Sequence, residues 1–235
     1  MLIQIDFVYV LKILLKLLKT VPYTLSVALI AGIIGLLLSV LIAAVRIRRP
    51  IILYQIIGVY ISFFRSTPGL IHIFIVYYGL PLVMKQFGID MSFVEKTFFA
   101  IMSLGLFYAA YIAEIIRPAY MSVDRGQHEA AKCIGMNDLE REIRIIIPQA
   151  LPIAMPGIGN AVIDLIKDTS ILFVIGLTDI MGKAKIMISN DYGIKKLEVY
   201  VAVGIIYWLI ITACDVINMK IEKNCACVKG RGNND

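Results

Sequence analysis

At 235 residues, with 60% hydrophobic content and a mean hydropathy of +0.84, the chain is far more apolar than a soluble domain, which sits near about 45–50%. Its long apolar runs make the bilayer the expected solvent and give room for about five spanning helices with their connections in one domain. The formal net charge is +6, but no soluble basic face is visible, which excludes a nucleic-acid binder, and no early positive region or small-residue cleavage site marks a cleavable signal peptide.

Residues 1–19 form an N-terminal segment in which 5–19 read as a helix lying in the membrane interface. Lys12, Lys16 and Lys19 share one face, and Leu11, Leu14, Leu15 and Leu18 occupy the other. The alternative is a Lys-fringed extension of the first span. The membrane core is expected over residues 20–219. Its first span, Thr20 to Val45, would run about 39 Å as a helix, ample for a hydrocarbon core of about 30 Å. Gly32, Gly35 and Ser39 recur along it at spacings that permit close helix contact. Arg46-Ile47-Arg48-Arg49-Pro50 stops it.

Ile51 to Phe64 is short and apolar, an elbow interrupted by Arg65-Ser66-Thr67-Pro68-Gly69. The second span continues from about Leu70 to Met84, with Phe87-Gly88-Ile89-Asp90 as an external turn, and the third runs from about Phe93 to Ile116. A polar segment of about 117–147 follows. The fourth apolar stretch carries Pro152, Pro156, Gly157 and Gly159, which predict a bent or discontinuous helix. Lys167-Asp168-Thr169-Ser170 lies within it. Thr178 to Lys196 reads as a re-entrant or external segment, Leu197 to Met219 as the fifth span, and 220–235 as a basic tail.

Arg46, Arg48, Arg49, Arg65, Arg117, Arg125, Arg141, Arg144 and Arg231 all fall on one side of this topology, whereas Lys is scattered. Arg placement therefore predicts a cytoplasmic C-terminus and an external N-terminus. None of Cys133, Cys214, Cys225 and Cys227 then faces outside, which fits reduced thiols. Cys225-Ala226-Cys227 lacks the second pair or His that a metal site requires and reads as incidental.

The central polar segment holds Glu129-Ala130-Ala131, a gap, Gly135, a longer gap, then Ile145, Ile147 and Pro148. Ala130 and Ala131 are small and helix-forming, so such a helix can press closely against a groove in another protein. Glu129 would sit near a helix start, where the dipole favours an anion. Gly135 permits a sharp turn. Asn137 and Asp138 can cap a second short helix with a charged face of Glu140, Arg141, Glu142 and Arg144. Pro148 would end the unit where the membrane begins.

The spacing of Glu129, Ala130, Ala131, Gly135, Ile145 and Pro148 resembles the ATPase-docking loop of ABC importer permeases, with Ile147 where Leu is usual. Phe64-Arg65-Ser66-Thr67-Pro68, Tyr78-Gly79-Leu80-Pro81, Tyr108 to Arg117, Gly126-Gln127-His128 and Lys167-Asp168-Thr169-Ser170 resemble segments of polar amino acid permeases. Ser66, Gly69 and Pro118 depart from that pattern. The resemblance spans about residues 17–220 and implies an all-α membrane protein of the type I permease fold. It implies coupling residues at Gly126, Glu129, Ala130, Ala131, Gly135 and Pro148. It also implies a second permease subunit, two ATPase subunits, an extracellular binding protein and a polar amino acid substrate. Asp179 to Lys185, Leu197 to Tyr200 and Tyr207-Trp208 look like cystine permeases within this group, making L-cystine the expected substrate.

Charged groups within spans are costly, roughly 2.5–3.5 kcal/mol each, so they face a cavity or a partner. Asp164, Lys167, Asp168, Thr169 and Glu114 are the candidates for the substrate path. Lys167 suits a carboxylate, and Asp168 or Glu114 an ammonium group. The competing reading is a Lys–acid pair that holds the bend, and for Glu114 structural pairing is the favoured one. His72 reads as a packed, hydrogen-bonded residue and Arg65 as a salt-bridging or snorkelling one. No Gly-x-x-x-x-Gly-Lys-Ser/Thr stretch occurs, so the chain is expected to bind no cofactor and to catalyse nothing itself. ATP and Mg would be used by the partner ATPase in the cell membrane. A secondary transporter or channel subunit is the rival class, and it leaves the docking segment without a role. A membrane-anchored signalling or assembly protein is the other, and it would move no solute.

Overall fold

The structure, a computed structural model, describes residues 6–231, with side chains described through Asn224. Ile5, and the side chains of Cys225, Cys227, Lys229 and Arg231, lie outside the described residues. The described residues form helices α1 (Phe7–Leu18), α2 (Val21–Arg48), α3 (Ile51–Ser66), α4 (Gly69–Phe74), α5 (Leu80–Gln86), α6 (Lys96–Met121), α7 (Arg125–Cys133), α8 (Asp138–Arg141), α9 (Ile147–Asp168), α10 (Ile180–Asn190) and α11 (Lys196–Arg231). Among the described residues, four helical runs are long and apolar enough to cross a membrane: Val21–Arg48, Gly69–Gln86, Lys96–Met121 and Lys196–Asn224. The fourth expected span corresponds to α9, which has the length but is diluted by Pro, Gly, Asn and its terminal charges.

Helix α6 is the axis of the core. Its Ala100, Leu104, Tyr108 and Ile112 meet Val27, Ala28 and Ala31 of α2 and Ala161, Leu165 and Ile166 of α9. Small residues set the approach of α2 to α6. A Cβ on Gly35 would lie 3.2 Å from the Gly105 carbonyl oxygen and 3.4 Å from Tyr108 Cβ. Ser39, on the same side, is fully buried. The small-residue spacing in α2 thus does what close packing in a membrane requires.

Helix α1 packs differently from expectation. Its buried stripe is Val10, Ile13 and Leu17, set against α10 and α11 through Ile180, Ala184, Val199, Ala202, Val203 and Ile206. Leu11, Leu15 and Leu18 remain exposed, as do Lys12, Lys16 and Lys19. The helix therefore has three faces, one for protein, one apolar and outward, and one charged. Asp6 caps it by accepting from the Tyr9 N–H at 3.0 Å. Lys195, 3.2 Å from Asp6, and a hydrogen bond from Tyr9 to Asp191 clip it to the segment between α10 and α11.

Two prolines are preceded by widened helical turns. Ile75–Gly79 forms a π-turn ahead of Pro81, and Glu142–Ile146 another ahead of Pro148. Proline supplies no N–H to the carbonyl one turn back, and a π-turn re-routes the neighbouring bonds. Pro148 therefore does not end the polar unit. It opens α9, and helical structure runs on from Asp138 through the π-turn to Asp168. Pro152 and Pro156 do not interrupt α9 either, so of the expected bent or discontinuous helix the discontinuous form is not found. The change comes at Thr169–Ile175, where the helix tightens to 3-10 and stops at Gly176 (φ 75°). Pro118 likewise lies inside α6, which continues to Met121.

Candidate functional site

The polar segment folds into an elbow of two short helices. Asp124 caps α7 by accepting from the Gly126 N–H at 2.5 Å. A Cβ on Gly126 would stand 2.9 Å from that oxygen, so glycine suits the cap. Glu129 is the fifth residue of α7, and the anion at the helix start is Asp124 instead. Ala131 is buried at 1% exposure, while Glu129 and Ala130 face outward. Only part of the Glu-Ala-Ala face is therefore available to a partner.

Gly135 ends α7 in the left-handed region (φ 80°). Its N–H bonds the Lys132 carbonyl at 3.0 Å, and the Met136 N–H bonds that of Ala131 at 3.1 Å. This paired closure is a Schellman motif, for which glycine is the favoured residue. Asn137 and Glu140 then form a reciprocal capping box on α8. Arg141 bonds Asp138 at 2.7 Å and Glu142 at 3.0 Å. The adjacent Glu142 and Asp138 carboxylates hold the Arg141 guanidinium above its ordinary pKa. Tyr120 of α6 donates to Glu142 at 3.0 Å. Val123, Ile146 and Ala150, with Tyr120 and Ile145, form a small core beneath the elbow. Its outer surface carries exposed Ile134, Leu139 and Ile143.

A second site is a cleft of about 230 Å³ between α6 and α9, lined by Phe107, Tyr108, Tyr111, Asp164, Lys167 and Asp168. Tyr108 is buried and donates to Asp168 Oδ2 at 2.8 Å. Lys167 donates to Asp164, not to its sequence neighbour Asp168, at 3.1 Å. Asp164 and Lys167 are about half exposed, at 50% and 53%. The cleft presents two carboxylates, one ammonium group, two phenols and a Phe ring. That set can grip a zwitterion at both of its charges.

Two candidates do not belong to the cleft. Thr169 is fully buried, and its hydroxyl donates to the Ile166 carbonyl at 2.7 Å. Glu114 sits about 9 Å further along α6 than Tyr108, at six residues of helical rise. There it meets Arg117, Arg46 and Arg65 at 3.0, 3.6 and 3.9 Å. His72 is buried among Phe63, Phe64 and Phe107. Thr67 Oγ1 gives its one proton to the Phe63 carbonyl at 2.7 Å, so it accepts from His72 Nε2 at 2.5 Å.

Sequence reasoning missed Tyr108, Tyr111 and Phe107 as cleft residues. A tyrosine deep in an apolar span needs a partner for its hydroxyl, and the acids of the fourth stretch were the available ones. It also missed Arg46 as a partner of Glu114, because nothing in the spacing ties the two.

A polytopic helical core with an exposed polar elbow is the build of a membrane transport subunit. Residues 35–224 match the family described as binding-protein-dependent transport system inner membrane component, and the chain belongs to that family. It is 40% identical to the probable amino-acid ABC transporter permease protein PatM of Vibrio harveyi, over 86% of this chain and 88% of that one. It is 39% identical to the L-cystine transport system permease protein TcyL of Bacillus subtilis, over 86% of each. Among solved structures it resembles an amino acid ABC transporter with histidines, with a TM-score of 0.80 and 29% identity, covering 94% of this chain and 100% of that one. The MetNI methionine ABC transporter matches with a TM-score of 0.70 at 20% identity over 89% and 95% of the two chains, a likeness of fold alone. The chain is a multi-pass permease subunit of the ABC importer fold.

Proposed function

We propose that this permease carries polar amino acids inward as part of an ATP-driven importer served by an external binding protein. L-cystine is the substrate we favour, and the relatives TcyL and TcyB, both L-cystine transport system permeases, support that choice. The observation that carries the reading is the charged cleft: Asp164, Lys167 and Asp168 offer both signs of charge beside Tyr108 and Tyr111. An amino acid zwitterion needs that combination, and the carboxylates outnumber the single ammonium group.

The elbow of α7 and α8 is the ATPase dock. Glu129, Ala130 and Ile134 lie outward on a base braced by Tyr120 and Glu142. Gly126, Ala131, Gly135 and Pro148 shape that base. Two ATPase subunits grip two permeases, either copies of this chain or this chain and a close relative, with the path between them. Arg placement supports a cytoplasmic elbow and C-terminus and an external N-terminus. ATP-driven closure moves the elbow, opens the path outward to receive substrate, and hydrolysis resets it. Such coupling requires the nucleotide state to bias the two conformations unequally.

Uptake of labelled amino acids by the reconstituted complex, with cystine in the panel, tests this. Cystine uptake that needs ATP and the binding protein is the expected result. Transport of other polar amino acids alone would displace cystine, and flux without ATP would displace the importer.

A further inference from the structure

We propose that the arginine cluster around Glu114 binds the phosphate of an anionic phospholipid whose acyl chain lies along the open face of α3. The cluster is assembled from three helices. Arg46 comes from the end of α2, Arg65 from the last turn of α3, and Glu114 and Arg117 from α6. Three guanidinium groups share one carboxylate, at 3.6, 3.9 and 3.0 Å, so among the described residues two positive charges are unmatched. Arg117 spends Nε and Nη2 on Glu114. Arg46 and Arg65 do not. Arg46 Nε faces Glu114 Oε1 at 3.6 Å, too far for a hydrogen bond, and is buried without an acceptor among the described residues, while Arg65 is half exposed.

The placement of Arg46 points the charge at a groove. Its guanidinium lies 4.3 Å over the Tyr54 ring. It reaches Gly58, where a Cβ would stand 3.6 Å from Nη1. Gly58 lines an open groove with Gln55, Val59, Ser62 and Phe63. Helix α3 buries only Ile61 and leaves Ile51, Ile52, Ile56 and Val59 exposed. A basic cluster at the end of a sideways-open apolar face matches a phospholipid, with its anionic head and its hydrocarbon tail. A second copy of the chain fits less well, since a symmetric contact centred on the cluster would bring the same unmatched positive charge to face itself.

The test uses the full chain in mild detergent, with a mixture of phosphatidylglycerol and phosphatidylcholine, and reads bound lipid by native mass spectrometry. Phosphatidylglycerol is expected to be retained several-fold over phosphatidylcholine. The Arg46→Gln/Arg65→Gln variant should lose that preference, and Glu114→Gln, which removes the one carboxylate, should strengthen it. A purely structural cluster would give no such opposite signs. Melting temperatures check that the variants are folded. If the double variant is not, Arg65→Gln alone should weaken the preference, because Arg65 makes the longest of the three contacts. Excess glycerol 3-phosphate should fail to displace the lipid. Displacement would mean a soluble-anion site and would overturn the proposal. So would equal retention of the two lipids, an unchanged preference in a folded Arg65→Gln variant, or exclusion of lipid by a second copy seated on α3.

Discussion

Lys167 and Asp168 are adjacent in sequence but do different work. Lys167 turns back one helical turn to Asp164 at 3.1 Å, the i, i+3 geometry of neighbours on a helix face. Asp168 points to Tyr108. The sequence made both residues visible as charges in an apolar stretch, but a choice of partner depends on which face of α9 meets α6. Because the Lys167–Asp164 pair is half exposed, Lys167→Ala should change stability by only about 0–1 kcal/mol. It should cut uptake roughly tenfold or more, the scale of a charge-assisted hydrogen bond of ~1.5–3 kcal/mol. Membrane abundance by immunoblot beside uptake in the same cells checks this. A fall in abundance that accounts for all the lost uptake would make the pair structural. Tyr108→Phe differs, since it leaves the partly buried Asp168 without its donor. A destabilisation of about 1–3 kcal/mol is expected, read as a lowered melting temperature in detergent.

At the level of helices, packing and turns were unequally legible. Gly32, Gly35 and Ser39 announced a close contact, and α2 makes it with α6 at Gly105. Gly35→Leu should force the two helices apart at a cost of about 1–3 kcal/mol, measured by thermal unfolding in detergent. Unchanged melting would mean that the contact is looser than described. In α1 the sequence showed an amphipathic helix but not its third face. Val10, Ile13 and Leu17 look no different from Leu11 and Leu15 until α11 is placed beside them. The prolines misled for a related reason. Chain statistics treat proline as a breaker, yet Pro148 sits just past a π-turn that absorbs the missing N–H, and Pro152 and Pro156 lie inside an α9 that is not discontinuous.

Gly135 allows a sharper test of the elbow. Its φ of 80° lies outside what proline adopts, and its N–H closes the Schellman turn on Lys132. Gly135→Pro should abolish ATPase association while the chain still inserts. Gly135→Ala should weaken association more mildly, for a left-handed residue costs roughly 1–2 kcal/mol with a Cβ. Glu129→Lys, on the exposed face of α7, should reduce association without disturbing the fold. Co-purification of the ATPase with each variant checks all three. Full recovery with Gly135→Pro and Glu129→Lys would remove the elbow from the coupling path.

For the molecule as a whole, the fold class was legible because membrane spans announce themselves by length and apolarity. The long polar island between them was equally plain, and its motif spacing named the family before any geometry was considered. The cleft was only partly readable: its three charged residues lie on α9, but Phe107, Tyr108 and Tyr111 come from α6, and only the packing of those helices joins the sets. Thr169 and Glu114, candidates on sequence grounds, fall outside it because one is buried and the other lies further along α6 among arginines.

The central claim is that nucleotide turnover in a separate subunit drives solute through this chain. Its most direct test is uptake into proteoliposomes holding the permease, its ATPase and the binding protein, with and without internal ATP. Accumulation should require ATP and vanish with Gly135→Pro in the permease or with a hydrolysis-deficient ATPase. Equal accumulation in vesicles without nucleotide would contradict the account.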